Sequence, residues 1–408
     1  MRKFLVLVYL MLVPCVILIM LWVNVAIHRT SFPESAEEQH HVKALLADLR
    51  PKVRAGLAER MQQWFPEGAP FTYALYGLSQ CELAARTIGS ERVVALREAR
   101  WSLGQLASDK VKGRFPMLLP PDHGAFLAGW TAFLHGRLLQ VTPAAELSKE
   151  DSAQFRTRCD RIAQTFMEHG SPFIPSYNGM AWPADAAVCA AALSLHDSRF
   201  PVAYKNVLTW WVKEATQRVD VRGMLPHEWD PESDALLQSA RGSSMALMTI
   251  LLPMIDPAFA ADQFARFRLY FFKELFGVPT VGEHPNGVGG AGDIDSGPLL
   301  LGIGPAATIV AAGSCRLNAD GFHAFEFTST VDAFGMITGA ERRNYLLGGM
   351  PIADLFIAWV RSIPAEVQTL QRPPRFLRFH AWSLLLLGIV LCPLIFRRLA
   401  GRGREQGQ

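Results

Sequence analysis

The sequence predicts an all-α protein: an (α/α)6 toroid of about twelve helices, flanked by N- and C-terminal transmembrane helices. Three features carry that expectation. Apolar residues recur at helical spacing through one segment after another, which leaves little room for a sheet. The segments alternate in character, charged along one face and then small and apolar all round. Helix pairs also recur about every 50 to 60 residues without a recognisable repeat sequence, which favours a closed ring over an open solenoid.

Taken in order, the chain of 408 residues opens on an uncharged run, Phe4 to Ile27, long enough to cross a bilayer. Arg2 and Lys3 precede it and no small-x-small cleavage site follows, so 4–27 reads as an uncleaved signal anchor. Pro14 stands where a lipobox needs a small residue, which argues against lipidation of Cys15. The predicted outer helices are Glu37–Trp64, Glu91–Ala107, Lys149–His169, Pro201–Arg218, Pro257–Phe276 and Ala319–Met336, most of them carrying Lys, Arg and Glu on one face. The predicted inner helices are Phe71–Ile88, Asp122–Leu139, Pro183–Leu195, Gln238–Ile255, Pro298–Gly313 and Pro351–Val360. These are rich in Ala, Gly, Leu, Ser and Met, and small residues let neighbouring helices approach closely. The toroid domain is expected to span 36–361. A second apolar run, 379–396, ends in Arg397 and Arg398 with Arg402 and Arg404 close behind. Basic residues beside spans stay preferentially in the cytoplasm. Both termini are therefore expected inside, with the toroid outside a bacterial-type inner (plasma) membrane. Arg372, Arg375 and Arg378, on the outer side of the second run, weaken that bias.

Composition narrows the function. The formal net charge of +3 comes largely from the membrane flanks, and no basic stripe with interleaved aromatics lies between them, so nucleic acid is excluded as a partner class. No Cys/His cluster at ligand spacing points to a metal, and no motif points to a cofactor. Cys81, Cys159, Cys189 and Cys315 sit in apolar helical contexts where a free buried thiol is the ordinary outcome.

Polar residues collect in the loops that enter the inner helices. Asp122 and His123 precede one; Tyr177, Trp182 and Asp185 lead into the next; His227, Glu228 and Arg241 precede a third; Glu283 and His284, then Asp293 and Asp295, precede a fourth. In a toroid all inner helices start at one end, so these clusters converge on a single mouth. Ser296 or Gly297 is expected to cap the helix that Pro298 opens, with both aspartates beside its N-terminus. Capping and ion pairing alone would account for such acids, and Arg241 can pair with one of them or with a substrate carboxylate. As a site, the catalytic candidates are Asp185, Asp293, Asp295 and Glu228, with Tyr177, Trp182, His123, Asp122, Arg241, His227 and His284 binding substrate. Several acids with aromatics suit general acid and base work on a glycosidic bond, and neighbouring Asp293 and Asp295 are expected to split their pKa values. Asn at 293 or 295 is expected to abolish activity without loss of thermal stability.

The toroid pattern, together with Tyr177-Asn-Gly-Met-Ala-Trp182-Pro-Ala-Asp185 and Gly292-Asp-Ile-Asp-Ser-Gly-Pro298, resembles the linalool dehydratase/isomerase-like group and, more loosely, six-hairpin glycosidases. The resemblance covers most of residues 36–361. It implies an (α/α)6 barrel with its active site at the open end, and cofactor-free protonation and deprotonation of a terpene alcohol by acidic, Tyr, His and Cys side chains. Three readings stay open: a membrane-tethered hydrolase or lyase on envelope or exported glycan; a cofactor-independent lyase or isomerase on an apolar, lipid-like alcohol; and an inactive toroid that binds glycan or a protein.

Overall fold

Polar caps, apolar faces and a few left-handed residues set the elements. The computed structural model describes residues 2–293, 296–365 and 375–405. Its helices are α1 (Arg2–Ala26), α2 (Ala36–Arg54), α3 (Leu57–Trp64), α4 (Gly68–Arg86), α5 (Gly89–Leu106), α6 (Asp109–Lys112), α7 (Ala125–Val141) and α8 (Lys149–His169). They continue with α9 (Pro183–Arg199), α10 (Lys205–Gln217), α11 (Gly242–Ile255), α12 (Pro257–Phe271), α13 (Pro305–Leu317), α14 (Gly321–Phe334), α15 (Pro351–Ser362) and α16 (Leu377–Glu405). Two antiparallel hairpins complete the described residues: β1 (Glu228–Asp230) with β2 (Ala235–Gln238), and β3 (Phe272–Leu275) with β4 (Val278–Val281).

The helix contacts draw a closed ring. Helices α4, α7, α9, α11, α13 and α15 each pack against the next, and α15 packs back against α4. Outside them, α2 lies on α15 and α4, α5 on α4 and α7, α8 on α7 and α9, α10 on α9, α12 on α11 and α14 on α13. The mostly helical chain is thus consistent with an (α/α)6 toroid, and the two layers follow the alternation of charge. Inner α7 and α9 are buried along nearly their whole length, whereas outer α8 and α10 bury a single face. Close approach needs the small residues: a Cβ on Gly129 of α7 would stand 3.0 Å from the Cys189 sulfur of α9. Aromatics from α4, α7 and α15 meet inside the ring, with the Phe71 ring 5.2 Å from Phe126, 5.3 Å from Trp130 and 5.4 Å from Phe356. Each such pair contributes about 0.5–1.5 kcal/mol beyond the area it buries.

Several predicted boundaries move, among them the starts expected at Asp122, Pro201 and Gln238, which fall at Ala125, Lys205 and Gly242, with Gln238 in β2 instead; three more shifts have a local reason. The single helix Glu37–Trp64 is split into α2 and α3 because Gly56 adopts φ +90°, a left-handed geometry no helix interior admits. The inner helix expected at Pro298 begins seven residues later, at Pro305, with Gly304 as its cap. Leu301 at φ +52° and Gly302 at φ +76° turn the chain there, and Leu300 pairs with Ile303 instead of entering a helix, which leaves Leu300 and Leu301 exposed. The helix expected to reach Phe276 stops at Phe271, and the aromatic run continues as β3.

At the N-terminus, Val8–Ala26 is the one stretch among the described residues long and apolar enough to cross a membrane; the apolar part of α16, Leu377–Pro393, is shorter than that. Helices α1 and α16 run antiparallel: Tyr9 donates to the Val390 carbonyl, and Asn24 bonds Ser383 at 3.1 Å and His380 at 2.7 Å. A small apolar cluster of Val23, Ala26, Ile27, Val278, Ala333, Phe376 and Phe379 joins this pair to α14 and β4. Arg372 lies outside the described residues.

The ring is also clasped where its last inner helix meets its first outer one. Glu38, in the first turn of α2, pairs with both Arg316 of α13 and Arg361 of α15, and Arg361 reaches Asp332 of α14 at 2.7 Å. Tyr345 donates to Asp332 at 2.5 Å. All five side chains are buried. Charges taken this far from water persist only when paired.

Candidate active site

Arg241 organises the site. It caps α11 from an extended backbone and is buried, so its guanidinium must find acceptors within the protein. Its Nε donates to Glu283 at 3.1 Å, one Nη pairs with Asp293, and the other reaches the Ala291 carbonyl at 3.3 Å and the Ser296 hydroxyl at 3.4 Å. Glu283 follows β4 and lies against the start of α11, where it accepts the Ser243 N–H at 3.2 Å and the Ser243 hydroxyl at 2.7 Å. A helix N-terminus favours such a carboxylate. The backbone leaves no slack, since a Cβ on Gly242 would strike the Gly282 carbonyl.

Asp293 and Glu283 are pushed in opposite directions. Burial raises Glu283, and the Ser243 hydroxyl and Arg241 offset this only in part, so its carboxyl titrates above the usual range. That direction and the 3.1 Å ion pair to Arg241 point opposite ways; with the carboxylate wholly enclosed, desolvation is the larger influence. Burial also works against ionisation of Asp293, but there His227, the Ser296 N–H and Arg241 prevail and hold the carboxyl well below the usual range. The Ser296 N–H donates to Asp293 at 2.8 Å. His227 lies 3.4 Å from Asp293 through Nε2, while its Nδ1 meets the Ser244 hydroxyl at 2.5 Å. With Ser244 donating to Nδ1, the neutral imidazole carries its proton on Nε2, facing Asp293. Asp293 keeps 32% of its side chain exposed, whereas Glu283 keeps none. Asp293 is therefore the carboxylate of this group that a ligand can meet, and Glu283 stands behind Arg241 as its support.

A second group forms beside it. Asp185, in the first turn of α9, accepts the Ser176 hydroxyl at 2.6 Å, and the same hydroxyl receives the Trp182 N–H at 3.4 Å. Tyr177 donates to Glu67 at 2.5 Å, stacks on Phe115 and Phe126, and meets Trp182 edge-on at 5.6 Å. The two groups are stitched together by backbone hydrogen bonds between Ala181 and Trp229, the residue two beyond His227. Glu228 sits on β1 and accepts the Gln238 amide at 2.5 Å.

Arg241, His227 and Asp293 meet in one group with Glu283, to which the loop sequence alone assigns no role. Asp295 lies outside the described residues. His284 bonds the Ala291 carbonyl at 2.9 Å and so steadies the glycine-rich loop. Asp122 pairs with Arg161 of α8 at 2.5 Å, and both it and His123 line a cavity between α7 and α8. The four toroid cysteines are fully buried, and burial pushes every thiol up. Among the described residues no group of His, Cys, Asp and Glu is arranged to hold a metal ion.

No protein-family model matches the sequence, and comparison with curated proteins gives no match either. Among solved structures the chain is similar to a D-mannose isomerase, with 11% identity over 71% of this chain and 86% of that one at a TM-score of 0.48. It is also similar to an unsaturated glucuronyl hydrolase of Bacillus sp. GL1 that degrades glycosaminoglycan, with 12% identity over 79% of this chain and 95% of that one, again at 0.48. At such identity neither transfers a residue role to this chain.

Proposed function

We propose that the protein is a membrane-anchored, extracytoplasmic enzyme that performs acid/base hydrolysis or elimination on envelope or exported glycan. The observation that carries the reading is Asp293: a part-exposed carboxylate held ionised at the start of the inner helices, with the His227 imidazole 3.4 Å away and Arg241 fixing its orientation. An ionised carboxylate activates water or accepts a proton, and an imidazole beside it can relay one. Asp185 is the second carboxyl of this reading, and Tyr177 and Trp182 supply faces on which a sugar ring stacks. Glu283 is a positioning residue, since it reaches a substrate only through Arg241.

The apolar-alcohol reading draws support from the aromatic lining around Phe71, Phe115 and Phe126. It is the weaker of the two because the cysteine chemistry it implies would fall to the toroid thiols, which are all enclosed with raised pKa values. Full-length protein in detergent, assayed on a panel of acidic and neutral glycans and of isoprenoid alcohols, separates the two. Turnover of a glycan that is lost in Asp293→Asn supports the proposal. Turnover of an alcohol alone, or glycan turnover that survives Asp293→Asn, overturns it.

A further inference from the structure

A cavity of about 330 Å³ opens between α7 and α8 and shares no lining residue with the Arg241 group. Its floor is apolar or neutral: Leu127, Ala128, Thr131 and Ile162, all buried. Its walls carry three cations, Lys112, Arg158 and Arg161, against one carboxylate, Asp122, which leaves two positive charges over. Asp122 is already committed to Arg161 at 2.5 Å.

Arg158 is the unusual member. Its guanidinium is half-buried, touches His135 Nδ1 at 2.6 Å and Gln154 at 3.5 Å, and has no carboxylate within ion-pair distance among the described residues. Burial lowers its pKa and the distant acids only partly restore it, which is the signature of a cation stripped of water without a counter-charge. Lys112 has no hydrogen-bond or ion-pair partner for its ammonium among the described residues. His123 lines the same cavity, but its Nδ1 is enclosed and turned away from any ligand there. The loop that holds this ring is strained, with Asp122 at φ +31° and His123 at φ +78°, and such strain persists where the surroundings over-determine it. A cavity with two cations in excess over its one carboxylate suits a compact oxyanion.

We propose that this cavity binds the oxyanion group, phosphate or carboxylate, of a small soluble ligand, gripped by Arg158 and Lys112. The site is separate from the Arg241 group and does not depend on the enzymatic reading above.

Equilibrium dialysis of the full chain in detergent, at low ionic strength, tests it with two probes: inorganic phosphate and glucuronate. Saturable binding of one probe per chain is expected, weakening as salt rises. Arg158→Gln should lower affinity about tenfold, as expected for loss of a charge-assisted pair. Lys112→Ala should lower it severalfold without unfolding, because that ammonium holds nothing else in place. Binding of phosphate alone identifies a phosphorylated ligand, glucuronate alone a carboxylated one, and both a general oxyanion site. Failure of both probes to saturate the parent protein overturns the proposal, as does undiminished binding in Lys112→Ala together with folded Arg158→Gln.

Discussion

Arg241→Met removes a single buried cation and leaves two carboxylates facing each other without it. Met matches much of the length of the Arg stem, so packing changes little and the electrostatic loss is isolated. Breaking a buried pair by deleting one partner costs roughly 3–5 kcal/mol, because the remaining charge is stranded. Glu283 is wholly enclosed and, among the described residues, keeps Ser243 as its side-chain donor, so it takes up a proton to higher pH than before. Its pKa is already raised in the folded state. A carboxyl raised on folding contributes stability that is present below its unfolded pKa and lost as pH rises through its folded one. Deleting Arg241 raises that folded pKa further, so the destabilisation should be modest at pH 5 and approach the full figure at pH 8. Asp293 works in the opposite sense but retains His227 and Ser296, and its lowered pKa puts its titration below this window. Chemical unfolding in detergent, followed by tryptophan emission at several pH values, measures the difference. A cost under about 1 kcal/mol at pH 8, or one that does not change between pH 5 and pH 8, would refute the reasoning and make the Arg241 group a weak, solvated cluster.

Further outcomes follow from other parts of the structure. Asp293→Asn should abolish turnover and, because Asp293 accepts charge-assisted bonds from Arg241 and Ser296, also lower stability by about 1–2 kcal/mol, a value discounted for its partial exposure; stability equal to the parent would mean those bonds are idle. Asp354 is buried, which pushes its carboxyl up to about 7, while the Tyr345 N–H holds one oxygen at 2.8 Å. Asn preserves that bond, so between pH 5 and pH 8 the Asp354→Asn variant should gain roughly 2–3 kcal/mol on the parent, read from paired unfolding curves. Glu38→Ala should cost about 3–5 kcal/mol by stranding Arg316 and taking one of the two carboxylate partners of Arg361, which keeps Asp332, and a smaller loss in thermal unfolding would show that water reaches the clasp. A reporter active only outside the cytoplasm, fused after Ser362, should be active; activity of a cytoplasmic reporter at that position instead would place the toroid inside.

Much of the ring was legible because it rests on a contrast that burial imposes. A helix enclosed on every side cannot carry Lys or Glu, and Ala186–Leu193 in α9 shows it as clearly in sequence as in space. Arg241 as a partner for an aspartate was legible for a similar reason, a lone cation entering an apolar helix. The start of α13 was not. Leu299-Leu300-Leu301 scans as helix, and only the left-handed turn at Leu301 and Gly302 keeps it out. Nor did local pattern reveal Glu283 as the support of Arg241, since 42 residues separate them. The expectation that Asn at position 293 would leave stability untouched treated Asp293 as a grouped, repelling acid. Its actual neighbours are a guanidinium, an imidazole and an N–H, so its charge is welcome.

The clasp at Glu38 bears on how the chain assembles over time. Its partner Arg361 lies 323 residues downstream, so during synthesis the first outer helix must wait for nearly the whole toroid to emerge. Until then the completed hairpins form an open arc whose leading edge, the inner faces of α2 and α4, shows its apolar surface to the surroundings. Closure is a late, long-range event and a slow one by the general relation between contact separation and folding rate. A chain stalled just before α15 should therefore be vulnerable to proteolysis and to holding chaperones at its N-terminal edge as much as at its unfinished end.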